Sequence, residues 1–313
     1  MRITVLFKMI YYELVLLLRS KWLLSFTILF MLLAGLLYFY GIQSLQSNPS
    51  EVAYGLESGT SINTSGKDPS LFGVEAIEKT TSKEDLQAGY NRAIAMLMNL
   101  ALWILPIICL ILGVTSIVAD KESGRLTLYK TYNTPFTYYV VSKFAALTLS
   151  LSIALGLSYG LAGLVLALLG HSFSASIYIV FIALHFLLII VFTGAALMIG
   201  SISTTRMQGL SFSFFFWSFV LFVYEFLIFS VIDLFPYAYK LKGLLTLILL
   251  NPIESIRVWS INHLHAGYIF GPEYLILQEG NNSSLLTLYV VISILIILGI
   301  NIFLSNQIMK RKG

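Results

Sequence analysis

Apolar residues in this chain come in long blocks separated by short polar stretches. Six such blocks are Leu23–Tyr40, Ala93–Ala119, Phe144–Leu169, Phe173–Gly200, Leu210–Phe235 and Leu285–Leu304. Each is close to or above the length of about 20 residues that a helix needs to cross a hydrocarbon core. Backbone inside a bilayer must satisfy its own hydrogen bonds, so every block predicts a spanning helix. Residues 1–21 follow a different pattern, too polar to span and too apolar to stay free in water. On a helical wheel Arg2, Lys8, Glu13, Arg19 and Ser20 gather within roughly 140°. That arc predicts a helix lying flat in the membrane interface, its polar side toward the headgroups.

The segments between the blocks carry their own signals. Residues 41–92 are rich in Gly, Ser, Thr and acids, which suggests an external loop or cap. Within it Asn48-Pro49 and Ser65-Gly66-Lys67-Asp68-Pro69 mark turns, and a short helix is expected near Phe72–Lys79. Ser82-Lys83-Glu84-Asp85 reads as a capping box that opens the second spanning helix. A tight turn at Gly170-His171-Ser172 makes the third and fourth spans an antiparallel hairpin. Gly156, Gly160, Gly163 and Ala167 on one side, and Gly194, Ala195, Ala196 and Gly200 on the other, would let neighbouring helices approach closely. Residues 236–284 form neither a span nor a plain loop. Leu244–Leu250 is apolar but too short to cross. Asn251-Pro252-Ile253-Glu254 has the order of a helix start, with Asn as cap and Pro at the first position. Glu254 and Arg257 are spaced to pair, and Trp259 suits an interface. The expected fold is therefore all-α and integral to the membrane, one transmembrane domain over residues 1–313. It has an N-terminal interfacial helix, six transmembrane helices and an external re-entrant helical hairpin before the last span.

Composition agrees with this pattern. Of 313 residues 58% are apolar and 11% charged, whereas a soluble domain carries roughly 25% charged residues. The charges are also unevenly placed. With the N-terminus inside, the inner segments hold twelve basic against three acidic residues and the outer ones seven against ten. By the positive-inside rule both termini are cytoplasmic. The formal net charge of +4 is then a topology signal and no indication of nucleic-acid binding. Lys8 and Glu13 interrupt the first apolar stretch, which argues against a removable signal peptide. The lone Cys109 rules out an intrachain disulfide.

The stretch from Asp120 to Pro135, DKESGRLTLYKTYNTP, is the richest in candidate chemistry. It joins two long spans within a cytoplasmic segment, 120–143. Gly124 ends the preceding helix, and Leu126, Leu128 and Tyr129 give the next piece an apolar face suited to docking on a soluble partner. Here the chain resembles the permease subunits of type-2 ABC exporters. The resemblance lies in Asp120, Glu122, Gly124, Leu126 and Leu128, in Pro135, and in Lys143 eight residues later. Arg125, Thr127 and Tyr138 depart from the usual Thr, Glu and Arg. It extends over the flat N-terminal helix, six spans, the large first external loop and the re-entrant element. The run Leu250-Asn-Pro-Ile-Glu-Ser-Ile-Arg257 is similar to one in NosY-like members, which serve nitrous-oxide reductase maturation.

The resemblance implies that Asp120–Pro135 is a coupling helix seated on a separate cytoplasmic ABC ATPase. It also implies a second permease copy in a homodimer, with ATP and Mg held by the ATPase. The chain has no Walker A sequence, so it is no enzyme by itself, and no cofactor is assigned to it. The implied function is the permease of an ATP-driven exporter in the cell membrane. One alternative is a permease-like subunit that passes ATPase-driven motion to an extracytoplasmic partner. Another is an ATP-independent channel or secondary transporter. Ionisable residues inside spans need a partner or water; Glu225 and His185, with Phe216 and Trp217, are candidates for a pathway or a dimer seam. Asn251, Pro252, Glu254 and Arg257 are the candidates in the external hairpin. His263-x-His265 and Met96-x-Met98 lack the third ligand of a defined metal site.

Overall fold

A computed structural model describes residues 2–47, 83–131, 135–168, 175–232, 236–264 and 283–312. They form α1 (Arg2–Leu18), α2 (Lys21–Ser47), α3 (Lys83–Glu122), α4 (Arg125–Thr131), α5 (Phe136–Leu168), α6 (Ala175–Ile202) and α7 (Arg206–Ser218). A π-helical turn (Phe219–Val223) leads into α8 (Tyr224–Ile232), followed by α9 (Tyr237–Leu250), α10 (Pro252–Leu264) and α11 (Ser283–Lys312). The protein is an all-α integral membrane protein. Five helical stretches are long and apolar enough to cross a bilayer, and the α1–α2 pair, bent by 64° at Arg19-Ser20, is a sixth candidate. Ser20 marks that bend by accepting from the Leu23 amide at 3.2 Å. The expected helices at 72–79 and the turn at 170–172 lie outside the described residues, as does Ser82.

Burial sorts the spans into two layers. In α3 and α6 67% of the spanning window is buried, against 22% in the stretch Arg206–Ile228 and in α11. Absent side chains let the inner pair pack closely. A Cβ on Gly113 of α3 would collide with the Cβ of Ala196, and one on Gly200 of α6 would sit 3.1 Å from Ile117. One on Gly194 would sit 2.7 Å from Leu298 of α11. The glycines of α6 thus act as the sequence pattern suggests. Those of α5 do not: Gly156 and Gly160 have nothing within 4 Å of a Cβ. They border open space where close packing was expected.

Three elements differ from the hydropathy blocks. Helix α5 starts at Phe136, eight residues before the apolar run, and so carries Lys143 inside it. Helix α3 runs 40 residues, about 60 Å, or twice the hydrocarbon thickness. The block Leu210–Phe235 is broken by the π turn, whose wider ring of hydrogen bonds frees a carbonyl to bond outside the helix. Within that turn the Asn251 side-chain amide donates to the Val220 carbonyl at 2.7 Å.

The inner pair gives the first prediction. Gly113→Val should cost about 1–3 kcal/mol through overpacking against Ala196, whereas Gly299→Ala, with nothing within 4 Å, should cost nothing. Thermal unfolding of both variants in detergent checks the difference.

Candidate functional site

The last turn of α3 holds Asp120, Lys121 and Glu122 in succession. Successive helical residues point about 100° apart, so the three side chains leave α3 in three directions. Each meets a different element.

Asp120 points into the protein. One carboxylate oxygen, Oδ2, lies 2.7 Å from Lys143 Nζ and accepts from Tyr139 Oη at 2.9 Å. The other, Oδ1, lies 3.1 Å from an Arg125 amine. Lys143 is 1% exposed and also reaches Glu13 of α1 at 2.7 Å and Ser116 Oγ at 3.0 Å. The cluster is neutral: Lys143 and Arg125 balance Asp120 and Glu13. Burying such charges is favourable only when each is paired and hydrogen-bonded, and this geometry supplies both. Glu13 is the residue that the helical wheel assigned to the headgroup side. It is instead 3% exposed, turned inward because an ammonium lies on the neighbouring helix. Lys8 and Arg19 do face outward, together with Phe7, Tyr11 and Tyr12.

Lys121 reaches across to α6. Its ammonium donates to the carbonyls of Gly200, Ser201 and Ser203 at 2.8, 2.7 and 2.7 Å. Carbonyls at a helix C-terminus lack intrahelical donors and carry partial negative charge, so a cation there is favourable on both counts. Glu122 does the converse at α7. Its carboxylate pairs with Arg206 Nε at 2.7 Å and accepts from the Arg206 backbone amide at 3.1 Å, beside the N-cap Thr205.

Gly124, at φ +72°, makes the left-handed turn that a Cβ would oppose, and α4 departs from it. On α4 the apolar face is split. Leu126 is buried, Tyr129 packs edge-on against Tyr139 with centroids 5.1 Å apart, and Leu128 is 57% exposed. Burial, then the Glu13 and Asp120 carboxylates, raise the Tyr129 phenol above its ordinary value, so it stays neutral. Of the candidate coupling residues, Asp120, Leu126 and Tyr129 therefore serve the protein's own interior. Glu122, Gly124, Leu128 and Pro135 face outward.

Of the remaining candidates, Glu225 and Phe216 meet the hairpin residues, whereas His185 and Trp217 stand apart from them. His185 lies between α5 and α6, wedged between Tyr159 and Phe181. Phe216 borders a cavity of about 260 Å³ with Asn251 and Asn301. Trp217 donates to the Trp103 carbonyl at 2.9 Å, one turn before Pro106 of α3. Glu225 has a partner on another element, Arg257 at 3.5 Å, which also pairs with Glu254 at 3.0 Å. The helix start at Asn251 forms: its side-chain oxygen accepts from the Ile253 amide at 2.9 Å. Residues 251–260 are buried throughout. Among them, Ser255 Oγ donates to the Ile248 carbonyl at 3.0 Å, joining α10 back to α9. Tyr224 Oη donates to the Leu247 carbonyl at 2.8 Å, tying α8 to the same hairpin. His263 makes a 2.9 Å contact with the Trp259 carbonyl through Nδ1, while His265 lies outside the described residues. Among the described residues no group of three or more His, Cys, Asp or Glu could hold a metal.

The sequence profile of the ABC-2 family transporter proteins matches residues 10–307, from the middle of α1 to the last turns of α11. The chain belongs to that family. No curated protein matches it in sequence. As an ABC-2 permease it is a membrane subunit of an ABC transporter and not itself the catalytic subunit. Sequence alone gives the charged triplet no role beyond topology and docking. Its partners Tyr139, Lys143 and Arg206, and Glu13 behind Lys143, are far apart in sequence. Their signals in the sequence are Glu13, a polar residue interrupting an apolar stretch, and Lys143, marked by the family resemblance.

Removing the cation exposes what it neutralises. Lys143→Met should destabilise the permease by about 3–5 kcal/mol by leaving the buried Glu13 carboxylate unpaired and Asp120 with Arg125 alone as its cation. Adding Glu13→Gln and Asp120→Asn should restore much of the loss. Unfolding of the single and triple variants in mixed detergent micelles measures both.

Proposed function

We propose that this permease is the membrane subunit of an ATP-driven exporter, seated through α4 on a cytoplasmic ABC ATPase and paired with a second copy of itself. ATP and Mg then belong to the ATPase, and both chain termini lie in the cytoplasm. The observation that carries the reading is the rooting of α4. It presents Leu128 outward while its base, through Asp120, Lys121 and Glu122, is bonded to α5, α6 and α7, and through Lys143 in turn to α1. A push on α4 is thereby delivered to most of the bundle, which is what rigid-body switching between inward and outward states requires. The second copy finds its surface in Phe214, Phe215, Phe222 and Phe226, all exposed along α7, the π turn and α8. The lightly buried α1, with outward Phe7, Tyr11 and Tyr12, suits the headgroup layer.

The far end favours a second reading, in which motion is passed to an extracytoplasmic partner and no cargo crosses. The α9–α10 hairpin is tied to α8 by Arg257–Glu225 and to the π turn by Asn251, so displacement of α7 reaches the outer surface. Labelling the hairpin rim for a partner, against assaying ATP-dependent solute loss from vesicles, separates the two.

Two outcomes test the main reading. Leu128→Glu should weaken ATPase copurification roughly tenfold, the effect of losing one apolar anchor, while membrane insertion stays normal. Leu126 is unsuitable for that test because it is buried. Undiminished copurification would remove α4 as the docking element. For orientation, in a Cys109→Ser background a cysteine at Ser65 should react with an impermeant reagent added outside, and one at Ser123 should not. The reverse labelling would overturn the topology.

A further inference from the structure

The glycines of α5 border a void. A cavity of about 280 Å³ lies between α5 and α6, walled by Ser152, Gly156 and Gly160 on one helix and by Tyr178, Ile182 and His185 on the other. That is the lower edge of ordinary small-molecule sites, ~300–1,000 Å³. Gly156, Gly160 and Ile182 are exposed while Tyr159, Phe181 and His185 are buried. The mouth therefore opens sideways from the bundle, toward lipid, and the floor is aromatic.

One polar atom in that floor has no partner. His185 Nδ1 is 2.7 Å from the Phe181 carbonyl, which can only accept. Nδ1 must therefore carry the hydrogen, and in the neutral ring Nε2 is left with a bare lone pair. His185 is 4% exposed, and its Nε2 has no hydrogen-bond partner among the described residues; the same holds for Ser152 Oγ on the opposite wall. Tyr159 and Phe181 hold the ring on both sides, at 4.9 and 4.3 Å between centroids, so it cannot turn away. A buried acceptor without a donor is costly.

We propose that this cavity is a ligand site for a lipid-soluble alcohol, an uncharged apolar molecule whose hydroxyl donates to His185 Nε2 and whose tail lies along Gly156 and Gly160. The lining holds no Asp, Glu, Lys or Arg, so an ion would be buried without a partner there. A hydroxyl brings the missing donor, and Ser152 can bond its oxygen in turn. The mouth admits the tail from the lipid side. The site lies apart from α4 and the α9–α10 hairpin and does not rest on the transport reading.

The test uses the full-length permease in lipid nanodiscs and the photoreactive alkanol 3-azioctanol, with adducts mapped by mass spectrometry. Labelling should concentrate on Tyr159, Tyr178 and Phe186, and excess octanol should suppress it while octane does not. Gly156→Leu, whose Cβ meets nothing within 4 Å, extends into the void and should abolish most labelling there. His185→Phe keeps the ring and removes the acceptor. It should reduce the advantage of octanol over octane by about fivefold, the factor one ordinary hydrogen bond confers. Labelling unchanged by Gly156→Leu, octane competing as well as octanol, or an alcohol preference that survives His185→Phe would each overturn the proposal, the last by assigning Nε2 to ordered water. Should His185→Phe fail to insert, the octane comparison and Gly156→Leu decide alone.

Discussion

A single buried ammonium organises the basic end of this permease. Lys143 has given up essentially all contact with water, and its charge is tolerable only while Glu13 and Asp120 stand against it. Those carboxylates come from α1 and α3, and Lys143 from α5, so none of the three helices can leave without stranding a charge in an apolar interior. The bent N-terminal helix is therefore part of the bundle, although its composition alone would let it drift in the interface. Arg125 completes the balance from the outside rim. Because it is only partly buried, it is the member of the cluster that water can replace.

The two ends are built on different physics. The basic end uses full charges in dense contact. The far end relies mainly on neutral hydrogen bonds, Asn251 to Val220, Tyr224 to Leu247 and Ser255 to Ile248, with Arg257 as its described cation. One element joins them. The stretch from Arg206 to Glu225 begins at the Glu122 ion pair and ends at the Arg257 ion pair, roughly 28 Å away at the helical rise. The π turn lies within it, so the connecting rod contains a looser section just where the hairpin grips it.

Much of this architecture was legible in the sequence, because long apolar blocks are strong local signals. The cap at Asn251, the pairing of Glu254 with Arg257 and the break at Gly124 were also readable, since each depends on residues within a few positions. What escaped depends on distant residues. A wheel placed Glu13 by its own helix and had no means of seeing Lys143, 130 positions on. Glycine spacing looked alike on α5 and α6, yet only α6 has a neighbour close enough to use it. The block 210–235 gave no sign of a π turn, because the residue that stabilises it, Asn251, belongs to another element.

The triplet Asp120-Lys121-Glu122 also makes this permease sensitive to phase. Its three side chains find three different helices because they are consecutive and fan out around the axis. An insertion of one residue in α3 upstream of them would rotate all of them by about 100° at once, presenting an acid to the carbonyls of α6 and a cation to Arg206. Conservative exchanges at these positions keep each charge on its proper bearing, whereas a change of length upstream preserves every residue and misdirects them all. The helix end thus works like a keyed connector, in which the order of the pins matters as much as the pins themselves.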